Sequence, residues 1–200
     1  MTQVVILDYG LGNLRSVKKG LEKAGAQTVI TSDLEIMASA DGVVLPGVGA
    51  FSEGMEKLKE MKSALYDYVK TGPVLGICLG MQMLLDVGEE YGIHEGLGLV
   101  PGRVKHFPSK PGCKIPHMGW NNITITQESP LFEGISDNSY VYFVHSYYAE
   151  TKPEYTLTST DYICPFASSI GNKNAYGTQF HPEKSGSTGL KILENFISLL

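Results

Sequence analysis

The sequence has no apolar run long enough to span a bilayer, no cluster of lysine and arginine, and only three cysteines. The first absence leaves no membrane helix to expect. The second, with a formal net charge of −5, removes the electrostatic footprint of a protein that binds nucleic acid or an anionic membrane. Cys78, Cys113 and Cys164 are odd in number and lack paired or CxxC spacing. Neither a disulfide framework nor a zinc site is expected from them, and no metal or cofactor is implied. No charged leader or cleavage site precedes the first strand-like segment, so the expected location is cytoplasmic. Repeats, low-complexity tracts and linkers are missing too. Two hundred residues can bury one substantial core, and a single domain over 1–200 is the expectation.

What is present begins with short apolar runs separated by amphipathic stretches. Val4–Leu7, Val29-Ile30, Val43–Leu45 (stopped by Pro46) and Val74–Ile77 read as buried strands. Asn13 is placed to cap a helix carrying Leu14, Val17, Leu21 and Ala24 and stopped by Gly25, while Met55–Leu58 and Leu65–Val69 suit further helices. Strands apolar throughout and divided by helices predict an α/β fold with a mostly parallel central sheet flanked by helices. The second half adds antiparallel-type strands at 122–126, 140–144, 156–158 and 175–180. A closing helix over 189–200 places Leu190, Leu193, Phe196, Ile197 and Leu200 at helical spacing.

Chemistry concentrates at Cys78. It ends the apolar run Val74-Leu75-Gly76-Ile77 and precedes Leu79-Gly80-Met81-Gln82. A strand ending in a nucleophile between small residues makes a sharp elbow, with Gly76 and Gly80 leaving room for the turn. A helix starting at Leu79 would aim free N–H groups at the sulfur and favour the thiolate. The alternative is a buried structural cysteine. Downstream, Pro182 restricts His181 to an extended conformation at a strand end, and Glu183 can reach back to orient its ring; a surface His/Glu pair is the alternative. Pro46-Gly47-Val48-Gly49 follows the third strand, where glycines let backbone N–H groups approach an oxyanion, or simply make a turn. His117 and His145 read as hydrogen-bonded structural histidines, and His94 and His106 carry no signal.

Together, Pro46–Gly49, Gly76–Gln82 and Gln179-Phe180-His181-Pro182-Glu183 resemble the three signatures of class I (triad) glutamine amidotransferases. The resemblance implies that family's fold, with Cys78 as nucleophile, His181 as proton shuttle and Glu183 as its orienter. It further implies glutamine held by Gln82 and Glu90, and oxyanion donors among the amides of Gly47, Val48, Gly49 and Leu79. Asp8–Leu14, Ile115–Asn121, Tyr142–Tyr147 and Phe180–Ser185 resemble, within the family, the glutaminase subunits that serve imidazole glycerol phosphate synthesis. That likeness implies L-glutamine as substrate and a cyclase subunit of (β/α)8-barrel fold as heterodimer partner, with ammonia crossing internally. Asn13, Trp120, Tyr142 and Lys184 would be partner-interface positions. A glutaminase of another pathway, a stand-alone γ-glutamyl hydrolase and a catalytically silent interaction module are the competing readings.

Overall fold

The structure, a computed structural model, describes residues 2–200. Its centre is a parallel block in the order β2-β1-β3-β4-β14. These strands are β1 (Gln3–Leu7), β2 (Gln27–Thr31), β3 (Gly42–Gly47), β4 (Val74–Cys78) and, far along the chain, β14 (Ala175–Thr178). The apolar runs of β1, β3 and β4 are buried because alternate side chains feed two different cores, whereas β2 at the edge is only half-buried. Val5, Leu7, Val43, Leu45 and Val74 face one layer with Phe51, Leu58, Leu65 and Met81. Val4, Ile6, Val44, Leu75 and Ile77 face the other with Val17, Leu21, Ile192, Leu193 and Phe196. Period-2 alternation between two apolar environments is why β1, β3 and β4 show no polar face in sequence.

The first layer holds α2 (Leu34–Ala38), α3 (Phe51–Leu58), α4 (Lys62–Tyr68) and the short α5 (Leu79–Met83). The second holds α1 (Leu14–Lys23) and α6 (Gly186–Ser198). β13 (Pro165–Asn172) pairs antiparallel with β14, β11 (Tyr147–Glu150) with β13, and β7 (Arg103–His106) with β11. β5 (Val87–Gly88) and β6 (His94–Glu95) close that edge, while β9 (Thr124–Ile125) and β12 (Thr156–Asp161) pair alongside β13. A separate antiparallel ribbon is formed by β8 (His117–Asn122) and β10 (Tyr140–His145).

The mostly parallel sheet with later antiparallel strands matches the expected class. Several local expectations need correction. β3 continues through Pro46 to Gly47, since a proline at the strand's end forfeits little of the ladder and its carbonyl accepts the Tyr9 hydroxyl at 2.5 Å. Asn13 stands at the N-cap of α1, yet among the described residues its side chain makes no capping bond; its backbone carbonyl alone accepts from Ser16 and Val17. The expected strand over 122–126 is split between the end of β8 and β9. α6 starts earlier, at Gly186, and its buried face is Ile192, Leu193, Asn195 and Phe196. Among the described residues no helix is long and apolar enough to cross a membrane.

Candidate active site

Cys78 ends β4 and stands immediately before α5, with φ 56° and ψ −110°. Such a backbone is rare for a residue with a side chain and costs on the order of 1–3 kcal/mol. The neighbours make it possible. A Cβ at Gly80 would lie 1.8 Å from the Leu45 carbonyl oxygen, and one at Gly76 would lie 2.6 Å from Gly80. Only two glycines let the chain reverse this tightly against β3. α5 has just five residues, so the element supplies a few first-turn amides rather than an extended dipole.

Cys78 opens into a cavity of about 330 Å³ lined also by Val48, Gly49, Leu79, Gln82, Glu90 and His181. Residues 144–147 and Pro116 complete its wall. His181 reaches it from the loop after β14, the parallel neighbour of β4. Its Nδ1 lies 2.8 Å from Glu183 Oε1, and both side chains are almost wholly buried. Among the described residues Nε2 makes no other hydrogen bond, and it faces the Cys78 sulfur closely enough for that sulfur to act on it by hydrogen bonding as well as by charge. Burial alone would push the His181 pKa down. The Cys78 sulfur and the Glu183 carboxylate outweigh that and hold it up at about 9. The imidazole is therefore poised as a cation beside the Cys78 sulfur at neutral pH. The same sulfur, after burial, pushes the Tyr9 hydroxyl well above its ordinary range.

The other sequence-predicted residues divide. Val48, Gly49 and Leu79 line the cavity, and among the described residues the amides of Val48 and Gly49 donate to no protein acceptor. Gly47 lies behind this wall, where a Cβ would meet Tyr9 Oη at 2.7 Å and Gly80 N at 2.8 Å. Its absent side chain lets β3 pack on the elbow. Glu90 accepts from Phe51 N at 2.6 Å, so one oxygen caps α3 while its carboxylate faces the cavity. Gln82 spends both N–H groups, on Tyr147 O and Gln179 Oε1, each at 3.0 Å. What it has left to offer a ligand is an acceptor oxygen.

Asn13, Trp120, Tyr142 and Lys184 stay outside the cavity, at the same end of the sheet. A Cβ on Gly12 would sit 3.2 Å from Pro46, which places Asn13 beside the end of β3. Tyr142 accepts from His181 N through its carbonyl and donates its N–H to Ser185 Oγ, which ties it to the His181 turn, on which exposed Lys184 sits. Trp120 is register partner to Tyr142, with ring centroids 6.1 Å apart edge to face. Along the ribbon, Met118 (62 % exposed), Trp120 (56 %), Tyr140 (62 %) and Tyr142 alternate onto one outward face. So large an exposed apolar strip suits a protein partner better than water.

Tyr147 and Gln179 escaped the sequence reading. The first contributes a backbone carbonyl, which no residue type advertises; the second sat inside a quoted motif without an assigned role. His117 and His145 are bonded, as expected: His117 Nδ1 to His145 Nε2 at 2.9 Å, and His145 Nδ1 to Tyr147 O at 2.9 Å. Burial lowers their pKa values to about 4 and about 3, the second helped down by the other two histidines. Among the described residues no group of three or more His, Cys, Asp or Glu could hold a metal ion.

Comparison with known proteins is consistent over the whole length. The sequence profile of the class-I glutamine amidotransferases matches residues 5–199. The imidazole glycerol phosphate synthase subunit HisH of Methanosarcina acetivorans is 54 % identical over 100 % of both chains. That of Archaeoglobus fulgidus is 47 % identical over 98 % of each. Among solved structures, PurLQS from Thermotoga maritima superposes with a TM-score of 0.76 at 16 % identity, covering 98 % of both chains. A glutamine amidotransferase from the same organism gives 0.64 at 19 %, over 96 % of this chain and 81 % of that one. The structural likenesses speak to fold; the sequence relatives speak to family.

Proposed function

Because the chain belongs to the class-I glutamine amidotransferase family, we propose that it is the glutaminase subunit of an imidazole glycerol phosphate synthase. The observation that carries this reading is the juxtaposition of a strained, cavity-facing Cys78 with the buried His181–Glu183 pair. Cys78 attacks the side-chain amide carbon of L-glutamine. The amides of Val48, Gly49 and Leu79 stand at the cavity wall to receive the oxyanion. His181, a cation at neutral pH, gives its proton to the departing ammonia, and Glu183 steadies the ring throughout. The γ-glutamyl thioester that remains is opened by water, with His181 now acting as base, and glutamate leaves. Glu90 and the Gln82 oxygen are acceptors suited to the donor groups of the amino acid.

The ammonia serves a second subunit, a cyclase of (β/α)8-barrel fold that seals against the outward face of the ribbon. There ammonia would escape protonation by bulk water on its way to the ribonucleotide substrate, in histidine biosynthesis. Three free thiols suit a reducing cytoplasm. The exposed aromatic strip favours this subunit role over a stand-alone γ-glutamyl hydrolase, which needs no docking face. Glutamine turnover measured with and without the barrel subunit and its ribonucleotide ligand tests the reading. Slow turnover alone, a large rise with the liganded partner and loss of both in Cys78→Ser are expected. Fast turnover of the lone chain, indifferent to the partner, would refute it.

A further inference from the structure

We propose that Gln179 is a thiolate donor: its side-chain N–H holds the Cys78 sulfur in the charged form, and the backbone carbonyl of Tyr147 dictates that orientation through Gln82. The inference rests on Cys78 being the nucleophile of the reaction above. Gln179 is wholly buried, and its Nε2 lies 3.7 Å from Cys78 Sγ, a reach suited to a sulfur acceptor. Its Oε1 lies 3.0 Å from Gln82 Nε2, which is also 3.0 Å from Tyr147 O.

The direction of an amide is ordinarily ambiguous, because its oxygen and nitrogen have similar shapes. Here a backbone carbonyl, which can only accept, ends the chain. Gln82 must therefore turn its NH2 toward Tyr147, and that same NH2 faces Gln179. Gln179 must meet it with oxygen. Its own NH2 then has one direction left, toward the sulfur. Reversing either amide would set two acceptors or two donors against each other in a buried site. Tyr147 O is itself pinned, since it also accepts from His145 Nδ1 at 2.9 Å and so has both lone pairs engaged. His145 is held in turn by His117.

A thiol sulfur is a weak acceptor and a thiolate a strong one, so a fixed N–H donor favours the charged form. His181 approaches the sulfur as a cation and supplies charge, whereas Gln179 supplies a neutral dipole that stays in place when His181 gives up its proton.

The test is the pH profile of Cys78 alkylation by iodoacetamide in the full chain, read by mass spectrometry of the Cys78 peptide against those of Cys113 and Cys164. In Gln179→Glu the donor becomes a carboxylate while Gln82 keeps its acceptor. The profile should move to higher pH, and the rate at pH 7 should fall at least about tenfold. A profile superimposable on the parent overturns the assignment. Since a buried substitution can unfold the chain, the parent protein offers a second reading: the side-chain amide proton resonances of Gln179 should shift as Cys78 is alkylated. Unmoved resonances likewise overturn the donor role. Parent Cys78 reacting no faster than Cys113 and Cys164 would instead sink the functional reading itself, so the two failures are separable.

Discussion

At the scale of single residues, the site is bought with local instability. Cys78 holds φ 56°, where glycine would be at ease. Cys78→Gly should abolish turnover yet raise the unfolding free energy by about 1 kcal/mol in urea titration; a loss of stability would show that the elbow is relaxed. The histidines set the pH response. His181 titrates near about 6.5 in an unfolded chain and at about 9 here, so the fold keeps a proton that the unfolded chain releases. Its contribution is complete below about pH 6.5 and is lost as pH rises through about 9. His117 and His145 work in the opposite sense. The unfolded chain takes up protons that the buried pair refuses, so their contribution is complete above about pH 6.5 and is lost as pH falls toward about 4 and 3. Urea midpoints between pH 4 and 10 should fall on both sides of neutrality, and His181→Gln should flatten chiefly the alkaline limb. An alkaline limb unchanged in that variant would contradict the assignment.

At the scale of elements, α1 carries a glycine in its interior for the sake of the site. A Cβ on Gly20 would come within 3.0 Å of Glu183 Cβ and of Leu193 Cδ1. Alanine there gains about 1 kcal/mol of helix propensity but must push Glu183 by a few tenths of an ångström. Gly20→Ala is expected to leave the melting temperature within a few degrees of the parent while kcat falls several-fold and KM holds. Equal changes in both constants would count against a shifted Glu183. What the sequence disclosed at this scale follows from the same physics. The parallel strands were legible because both their faces are apolar. β13 was not, although it is the bridge between parallel and antiparallel halves: its Ser168 and Ser169 are wholly buried, satisfied by Thr158 Oγ1 at 2.8 and 2.7 Å. Small polar residues read as loop until a cross-strand hydroxyl accounts for them. Cys78, His181 and Glu183 could be found because side-chain chemistry marks them. The Tyr147 carbonyl and the direction of two amides exist only in three dimensions.

At the scale of the whole molecule, the outward ribbon and the buried histidine form one mechanical unit. His181 N donates to Tyr142 O at 3.0 Å, Tyr142 N to Ser185 Oγ at 2.9 Å, and the Ser185 hydroxyl to His181 O at 2.6 Å. This closed ring of bonds joins the backbone of His181 to the strand bearing Trp120's partner residue. A protein seated on Met118, Trp120 and Tyr142 would bear on the turn that places His181 through one backbone bond and the Ser185 side chain. Two substitutions separate docking from transmission. If the outward face is the docking surface proposed above, Trp120→Ala removes a half-exposed side chain from it and should weaken association with the proposed barrel subunit by tenfold or more, with the melting temperature unchanged. Ser185→Ala removes both hydroxyl bonds of the ring, at a cost of about 1–3 kcal/mol in stability. Association should survive that change, whereas the ratio of partner-stimulated to unstimulated glutamine turnover should drop several-fold. Were the ratio preserved in Ser185→Ala at saturating partner, activation would have to reach Cys78 through the Val48–Gly49 wall instead, leaving the His181 turn a rigid support.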